Sequence, residues 1–567
     1  MLSQKVPAQI SIPKDYFDPP LKIRLSITGS FAEIRANHFH SGVDFQVQKQ
    51  EGMPVYAVAN GFVSRIKVSP VGFGNALYID HPNGFTSVYG HLKSYNDTIK
   101  AFVHERQYQL QRFEVDLFPA TESDSILVKK GQLIGFAGNS GTSYGAHLHF
   151  ELRNTKTEHV INPLLFGFDL PDNSPPTVDF IRLYPESTGS FVGRSNEPVT
   201  FKVKKINNLE YRLAEIDTLM VWGNFSIGVQ ASDFQNNTSD RNGWYSLKML
   251  ANDAELFSMT CDSFAFDETR YVNASMDYAA NYNSGKCIVK SRKLPGNQLS
   301  FFKADTADGI LNFSDNTVHA IVIIVSDLAG NSVKLKFWVK KQKPSMLLQV
   351  PVIYDADTLA EFPYSKNNVF ETPEIKISIP PGSLYDDILF RYKKIPGGAG
   401  MFSDVHYIHD AEVPLQTRMK VSIKANKLPQ RLRSKALLVR MDKSGKRYAV
   451  NAEYEKGFVT ASTNLFDGYA IVVDTIPPTI KPLADKNKQK NSLSFRVGDN
   501  FSGISSYKGE VNGKWVLVEW DPKNHLMFYN YDKASPVGEN TFSLVLEDQK
   551  GNRSSYKTTF TVPGDKN

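Results

Sequence analysis

Residues 129–152, KKGQLIGFAGNSGTSYGAHLHFEL, contain two strand-like runs joined by a glycine-rich loop. GQLIGFAG and AHLHFEL are short and apolar, and GNSGTSYG supplies the small residues a tight connection needs. On a strand, alternate side chains share a face, which puts His147 and His149 about 6–7 Å apart on the same side. Leu148 and Phe150 then point into the core, and both imidazoles point into a cleft. One histidine can bind a metal while its neighbour stands over the metal's open position. Catalytic zinc uses that arrangement, with three protein ligands and a water in the fourth place.

Upstream, His40-Ser41-Gly42-Val43-Asp44 supplies two further candidate ligands. A fully extended strand would hold residues i and i+4 about 13 Å apart, near the limit for two side chains to meet on one ion. Ser41-Gly42 can bend the chain and shorten that gap. Two imidazoles and one carboxylate form a nitrogen and oxygen site with one negative charge, which suits zinc better than calcium or magnesium. Each motif is weak alone. His38-Phe39-His40 is a second His-x-His, and His91 by itself is a strand-end histidine.

Between these motifs, residues 54–92 read as a chain of antiparallel strands. PVYAVA and FVSRIKV flank Asn60-Gly61, and NALYID and FTSVYGHL flank Asn83-Gly84. Asn-Gly between β-rich runs is the strongest short-range hairpin signal. Residues 96–118 differ, being polar with Val103, Tyr108, Leu110 and Phe113 in a rough helical pattern. They predict a helix-bearing insertion over about 94–128, placed to act as a lid, a substrate wall or an inhibitory plug.

The chain of 567 residues is too long for one core and suggests about three to five units. Its net charge of +6 is scattered, with no basic block suggesting nucleic acid. The two cysteines, Cys261 and Cys287, are either one disulfide or two small buried apolar residues. The first twenty residues lack the apolar core of an export signal. No run approaches the ~20 apolar residues of a membrane span. The composition fits either a cytosolic protein or a mature form whose signal has been removed.

Prolines cluster in INPLLFGFDLPDNSPPTVDF, marking a boundary, and IPPTIKP recurs at the second Pro-Pro-Thr. Each lies upstream of a shared signature, Asp327-x-x-Gly330-Asn331 and Asp548-x-x-Gly551-Asn552, followed by an alternating strand. This reads as a distant internal repeat whose later copy suits an immunoglobulin-like sandwich. The expected fold is therefore mainly β. Residues 1–171 form the catalytic domain, 172–343 an immunoglobulin-like domain with insertions, 344–475 a β-domain of uncertain type, and 476–567 an immunoglobulin-like sandwich.

Order and context make the combination specific. His-x-Gly-x-Asp precedes PVYAVANGFV, then YGHL, then KKGQLIGFAGNSG, then GAHLHFEL. This resembles the lysostaphin-type (LytM-like) zinc endopeptidases, which cleave peptide cross-links in bacterial cell walls. The resemblance covers about residues 24–165, and PLKIRLSITGSFAEIRANHFHSGVD further resembles multidomain envelope members of that family. It implies zinc ligation by His40, Asp44 and His149, and an antiparallel-sheet peptidase domain. His147 and His91 take the catalytic positions, and Tyr89 and Tyr144 are candidates to line the cleft. The implied partner is the peptide stem of peptidoglycan in the bacterial envelope, with further envelope proteins as partners of the C-terminal β-domains. Some relatives have lost their metal ligands and activate other wall hydrolases. Here all five residues are present, which favours an enzyme over that regulator, or over a surface adhesin with an incidental histidine cluster.

Overall fold

The computed structural model describes residues 11–119, 125–236, 238–345, 356–483, 491–533 and 535–563. Strands dominate throughout. The first sheet is built from β1 (Ile27–Gly29), β4 (Val43–Gln46), β5 (Pro54–Tyr56), β6 (Gly61–Val68), β7 (Asn75–Asp80) and β8 (Phe85–Tyr95). It continues with β9 (Val115–Leu117), β10 (Leu127–Val128), β11 (Leu133–Ala137), β12 (His147–Asn154) and β13 (Val160–Ile161). Two short strands, β2 (Ile34–Arg35) and β3 (His38–Phe39), pair with each other as a separate hairpin. The main path runs β1-β4-β12-β8-β7-β6-β10, all antiparallel, so β4, β12 and β8 lie side by side near its middle.

Alternation sets the two faces of these central strands. Val43, Phe45, Leu148, Phe150 and Tyr89 are fully buried on the core side. Asp44 and His149 sit opposite each other in register on the other side, and His149 also faces Gly90.

The two Asn-Gly pairs behave differently. Asn83-Gly84 turns β7 into β8 with Gly84 at φ +83°. Asn60-Gly61 does not join a hairpin: β5 pairs with β11, and β6 pairs with β7, β9 and β10. Gly61 is the first residue of β6, opposite Val128.

The predicted insertion holds helix α1 (Asp97–Leu110), capped by the Asn96 side chain, which accepts from the Ile99 N–H at 2.9 Å. Its buried stripe is Ile99, Val103 and Gln107, whereas Leu110 is exposed. Tyr108 faces the C-terminal unit: its hydroxyl donates to Asp532 and its ring meets Trp515 edge-on at 5.1 Å. The helix is thus a docking post for a domain more than 400 residues away. Residues 120–124 of the insertion lie outside the described residues.

A second twelve-stranded sheet spans 177–341. It is not packed as a separate body. One continuous apolar core runs from Phe17 to Val339, and β13 pairs with Ser263–Phe264 of the second unit. Phe264 lies 5.2 Å from Phe31 and 5.8 Å from Phe39, and Phe301 closes the cluster 5.2 Å from Phe39. Residues 358–473 form a six-stranded and a five-stranded sheet over their own core, and 479–562 two four-stranded sheets over another.

The repeated signature has the same task in both places. Asn331 Nδ2 donates to the Asp172 carbonyl at 3.1 Å, and Asn552 Nδ2 to the Asp474 carbonyl at 3.0 Å. Each asparagine is held in turn by its own aspartate, Asp327 or Asp548. The motif clamps the chain just ahead of each Pro-Pro-Thr. Both cysteines are free thiols. Among the described residues no helix is long and apolar enough to cross a membrane.

The shared core makes a direct prediction. Phe264→Ala should cost about 3–5 kcal/mol, the usual range for emptying a buried phenylalanine site. Hydrogen exchange should show protection falling in β4 and β12 as well as in the strands of 177–341. Loss confined to the second unit would show that the two sheets unfold independently.

Candidate metal centre and catalytic groove

Three buried donor side chains converge on the face of the β4–β12 pair opposite the core. His40, Asp44 and His149 each offer a ligand atom, all within 4.8 Å of one another. His40 arrives from the loop before β4 and Asp44 from β4 itself, and His149 from β12. His40 Nε2 lies 3.0 Å from Asp44 Oδ1, and His149 Nδ1 lies 2.9 Å from the same oxygen. The bend at Ser41-Gly42 closes the gap by close approach. A Cβ on Gly42 would stand 2.3 Å from the Phe150 carbonyl oxygen, so this loop can press onto β12 only through glycine.

Each ligand is fixed from behind. His40 donates Nδ1–H to the Ser30 carbonyl at 2.7 Å, which leaves Nε2 as a lone pair aimed inward. His149 donates Nε2–H to Glu151 at 3.0 Å, which leaves Nδ1 inward. Glu151 is fully buried, and Arg153 Nε donates to its other oxygen at 2.7 Å. Arg35 Nη2 donates to Asp44 Oδ2 at 2.7 Å and leaves Oδ1 for the cluster. Once the proton on His149 Nδ1 is displaced, two nitrogen lone pairs and a carboxylate oxygen face one another in a buried site. That donor set suits a cation, and its nitrogen and oxygen composition fits zinc.

The charges follow from this packing. Burial opposes ionisation of Asp44, but His40, His147 and His149 hold its carboxyl well below the usual range. Burial likewise opposes the charge on Glu151, yet Arg153 and His149 bring it down to about 2. For His149, burial favours the neutral ring, but its bonds to Asp44 and Glu151 outweigh that and lift it to about 9. The two carboxylates thus hold a proton on the His149 ring between them.

Two more imidazoles flank the cluster. His147 Nε2 stands 3.4 Å from Asp44 Oδ1, with Nδ1–H on the Gly145 carbonyl at 2.9 Å. Its side chain is 16% exposed against 3% for His40 and His149, so it lines the groove where they are enclosed. The His91 ring is 4.8 Å from that of His147, and its Nδ1–H is held by the Ser140 carbonyl at 2.8 Å. Burial, then His149 and His147, push His91 down to about 3, so the ring is neutral.

The structure thus brings His40, Asp44, His91, His147 and His149 into one site. His38 is exposed and turned onto the Ala36 carbonyl. Tyr89 does not line the cleft: it is fully buried on the core face, where its hydroxyl accepts from the Val58 N–H. Tyr144 is fully exposed on the glycine-rich loop. Sequence reasoning missed Phe73, which stacks on His149 at 4.7 Å, and the outer partners Arg35, Ser140, Glu151 and Arg153. Glu151 and Arg153 carried a signal, because they continue the same-face alternation of His147 and His149.

The comparisons with known proteins converge on this region. A family profile, Peptidase family M23, matches residues 38–108. Lipoprotein NlpD of Yersinia enterocolitica is 32% identical over 115 residues, covering 20% of this chain and 90% of that protein. The chain belongs to peptidase family M23. The DD-carboxypeptidase/endopeptidase Mpg of Neisseria meningitidis serogroup B is 30% identical over 133 residues, 24% of each chain. Peptidoglycan DD-endopeptidase ShyB of Vibrio cholerae is 33% identical over 113 residues, 20% of each. The chain thus spans about a quarter or less of the length of these two relatives. Beyond the M23 region, residues 360–474 match a Zu5-like domain, which gives a type to the third unit.

For this M23 centre, Glu151→Gln removes the charge behind His149 while keeping an acceptor oxygen. It should weaken zinc binding by about ten- to a hundredfold, the usual effect of losing an outer partner. Competition against a chromogenic chelator reads it; unchanged affinity would rule out Glu151 as the group that orients His149.

Proposed function

We propose that the chain is a zinc-dependent endopeptidase that hydrolyses peptide cross-links of bacterial peptidoglycan in the cell envelope. The observation that carries this reading is the enclosed His40, Asp44 and His149 donor set with the imidazoles of His147 and His91 beside it. The likeness to the peptidoglycan DD-endopeptidase ShyB supports the substrate class, and that to the DD-carboxypeptidase/endopeptidase Mpg supports peptide-bond hydrolysis. The second reading is a non-catalytic regulator, which the likeness to lipoprotein NlpD supports; the presence of all three donors and of His91 and His147 is what favours the enzyme.

His40, Asp44 and His149 would hold zinc, which would supply Lewis acidity for the attack of water on a peptide carbonyl. The protein's own groups handle the protons. His147, with Nδ1–H committed to the Gly145 carbonyl, presents Nε2 to take a proton from the attacking water. His91, with Nδ1–H committed to Ser140 and its ring 4.8 Å from that of His147, receives that proton from His147 on Nε2 and passes it to the departing nitrogen. Water adds to the carbonyl carbon, the C–N bond breaks, and the proton leaves on the new amine. The half-buried Phe73 ring, stacked on His149, and the β12 strand cover the inner side of the site.

The test combines metal analysis with digestion of isolated peptidoglycan. Wild type should hold one zinc and release new peptide ends, and His149→Ala should lose both. His147→Ala and His91→Ala should keep the zinc but slow release by about 10²–10⁴-fold, the range of a lost acid–base group. A zinc-loaded wild type that cuts no peptidoglycan would eliminate the substrate assignment. Failure to hold zinc after reconstitution would eliminate the ligand assignment.

A further inference from the structure

One short segment of the second unit, residues 266–275, touches both supports of the metal centre. The first support is the line behind His149. The Phe266 ring lies 4.5 Å from the Arg153 guanidinium, which is also stacked over Tyr78 at 5.3 Å. Arg153 holds Glu151, and Glu151 holds His149. The second support is the β2–β3 hairpin, which carries Arg35 and leads the chain into His40. Thr269 Oγ1 accepts from the Phe39 N–H at 2.8 Å, and Asn273 Nδ2 donates to Asn37 Oδ1 at 3.1 Å.

That hairpin needs outside support. Its two strands have two residues each and join no larger sheet among the described residues. A lone hairpin is marginally stable at best. Yet it must hold Arg35 within 2.7 Å of Asp44, at a point where even a Cβ on Gly29 would collide with both groups. The contacts from Thr269 and Asn273, together with Phe39 in the shared aromatic cluster, supply the missing rigidity.

We propose that Phe266, Thr269 and Asn273 are positioning residues for the metal centre, which makes the second unit part of the catalytic apparatus. Phe266 acts through Arg153 and Glu151 on His149; Thr269 and Asn273 act through the hairpin on Arg35, Asp44 and His40. This rests on the reading that the cluster binds zinc.

The experiment uses the full chain with Phe266→Ala, Thr269→Val and Thr269→Ser. Phe266 is 40% exposed, so its removal leaves the core intact. Zinc affinity is measured by chelator competition, the cobalt-substituted protein by its visible absorption, and folding by thermal melting. Phe266→Ala and Thr269→Val should each weaken zinc about three- to tenfold, less than a direct outer partner would. The cobalt bands should shift in both, and Thr269→Ser should restore them. Folded variants with wild-type zinc affinity and unchanged cobalt bands would overturn the proposal while leaving the zinc reading intact. A lowered melting temperature with unchanged affinity would do the same. A wild type that takes up neither zinc nor cobalt would overturn both together.

Discussion

The buried carboxylate of Asp44 is the constraint around which this end of the molecule is organised. It is 5% exposed, and a charge so enclosed is expensive unless every lone pair is met. Arg35 takes one oxygen, and His40, His147 and His149 surround the other. Each of those imidazoles needs a fixed tautomer to do so. Backbone carbonyls fix His40 and His147, and a second buried carboxylate fixes His149. The ring of partners then extends outward to Arg153 and the hairpin, and reaches the neighbouring unit.

That outward spread accounts for the architecture of the first 340 residues. A peptidase sheet with an independent core could be cut away from its neighbour. Here the apolar core is continuous across both sheets, and Phe31, Phe39, Phe264 and Phe301 sit at the join. The later units keep cores of their own and make polar contacts at the far side. Lys523, for example, donates to the carbonyls of Asn139 and Ser143 on the loop beside His147. Coupling is therefore strongest behind the His40, Asp44 and His149 cluster and weakest at the loop beside His147.

Much of the site was legible because strand alternation is a rigid rule. His147 and His149 share a face, Leu148 and Phe150 the other, and Asp44 meets His149 across one strand pairing. His91 was not legible in that way. Alternation from buried Tyr89 would send it into the core, but His91 adopts φ +57° at a register shift and turns towards His147 and His149. Such a conformation for a residue other than glycine is set by tertiary context, not by local preference. The two Asn-Gly pairs carry the same lesson: identical dipeptides turn the chain at Asn83-Gly84 and lead into a strand at Asn60-Gly61. The helix was readable as an element, but the use of Tyr108 as a contact for Trp515 depends on a domain far along the chain.

The Phe39 to Thr269 bond joins residues 230 positions apart, and this imposes an order in time. Residue 269 does not exist when the histidines of the first strands have already left the ribosome. At about 5–20 residues per second, the bond must wait roughly 10–50 s after residue 39 is made. Throughout that interval β2 and β3 lack their outside brace, and the aromatic cluster lacks Phe264 and Phe301. The nascent chain therefore carries all five groove residues well before it can hold them in their finished geometry.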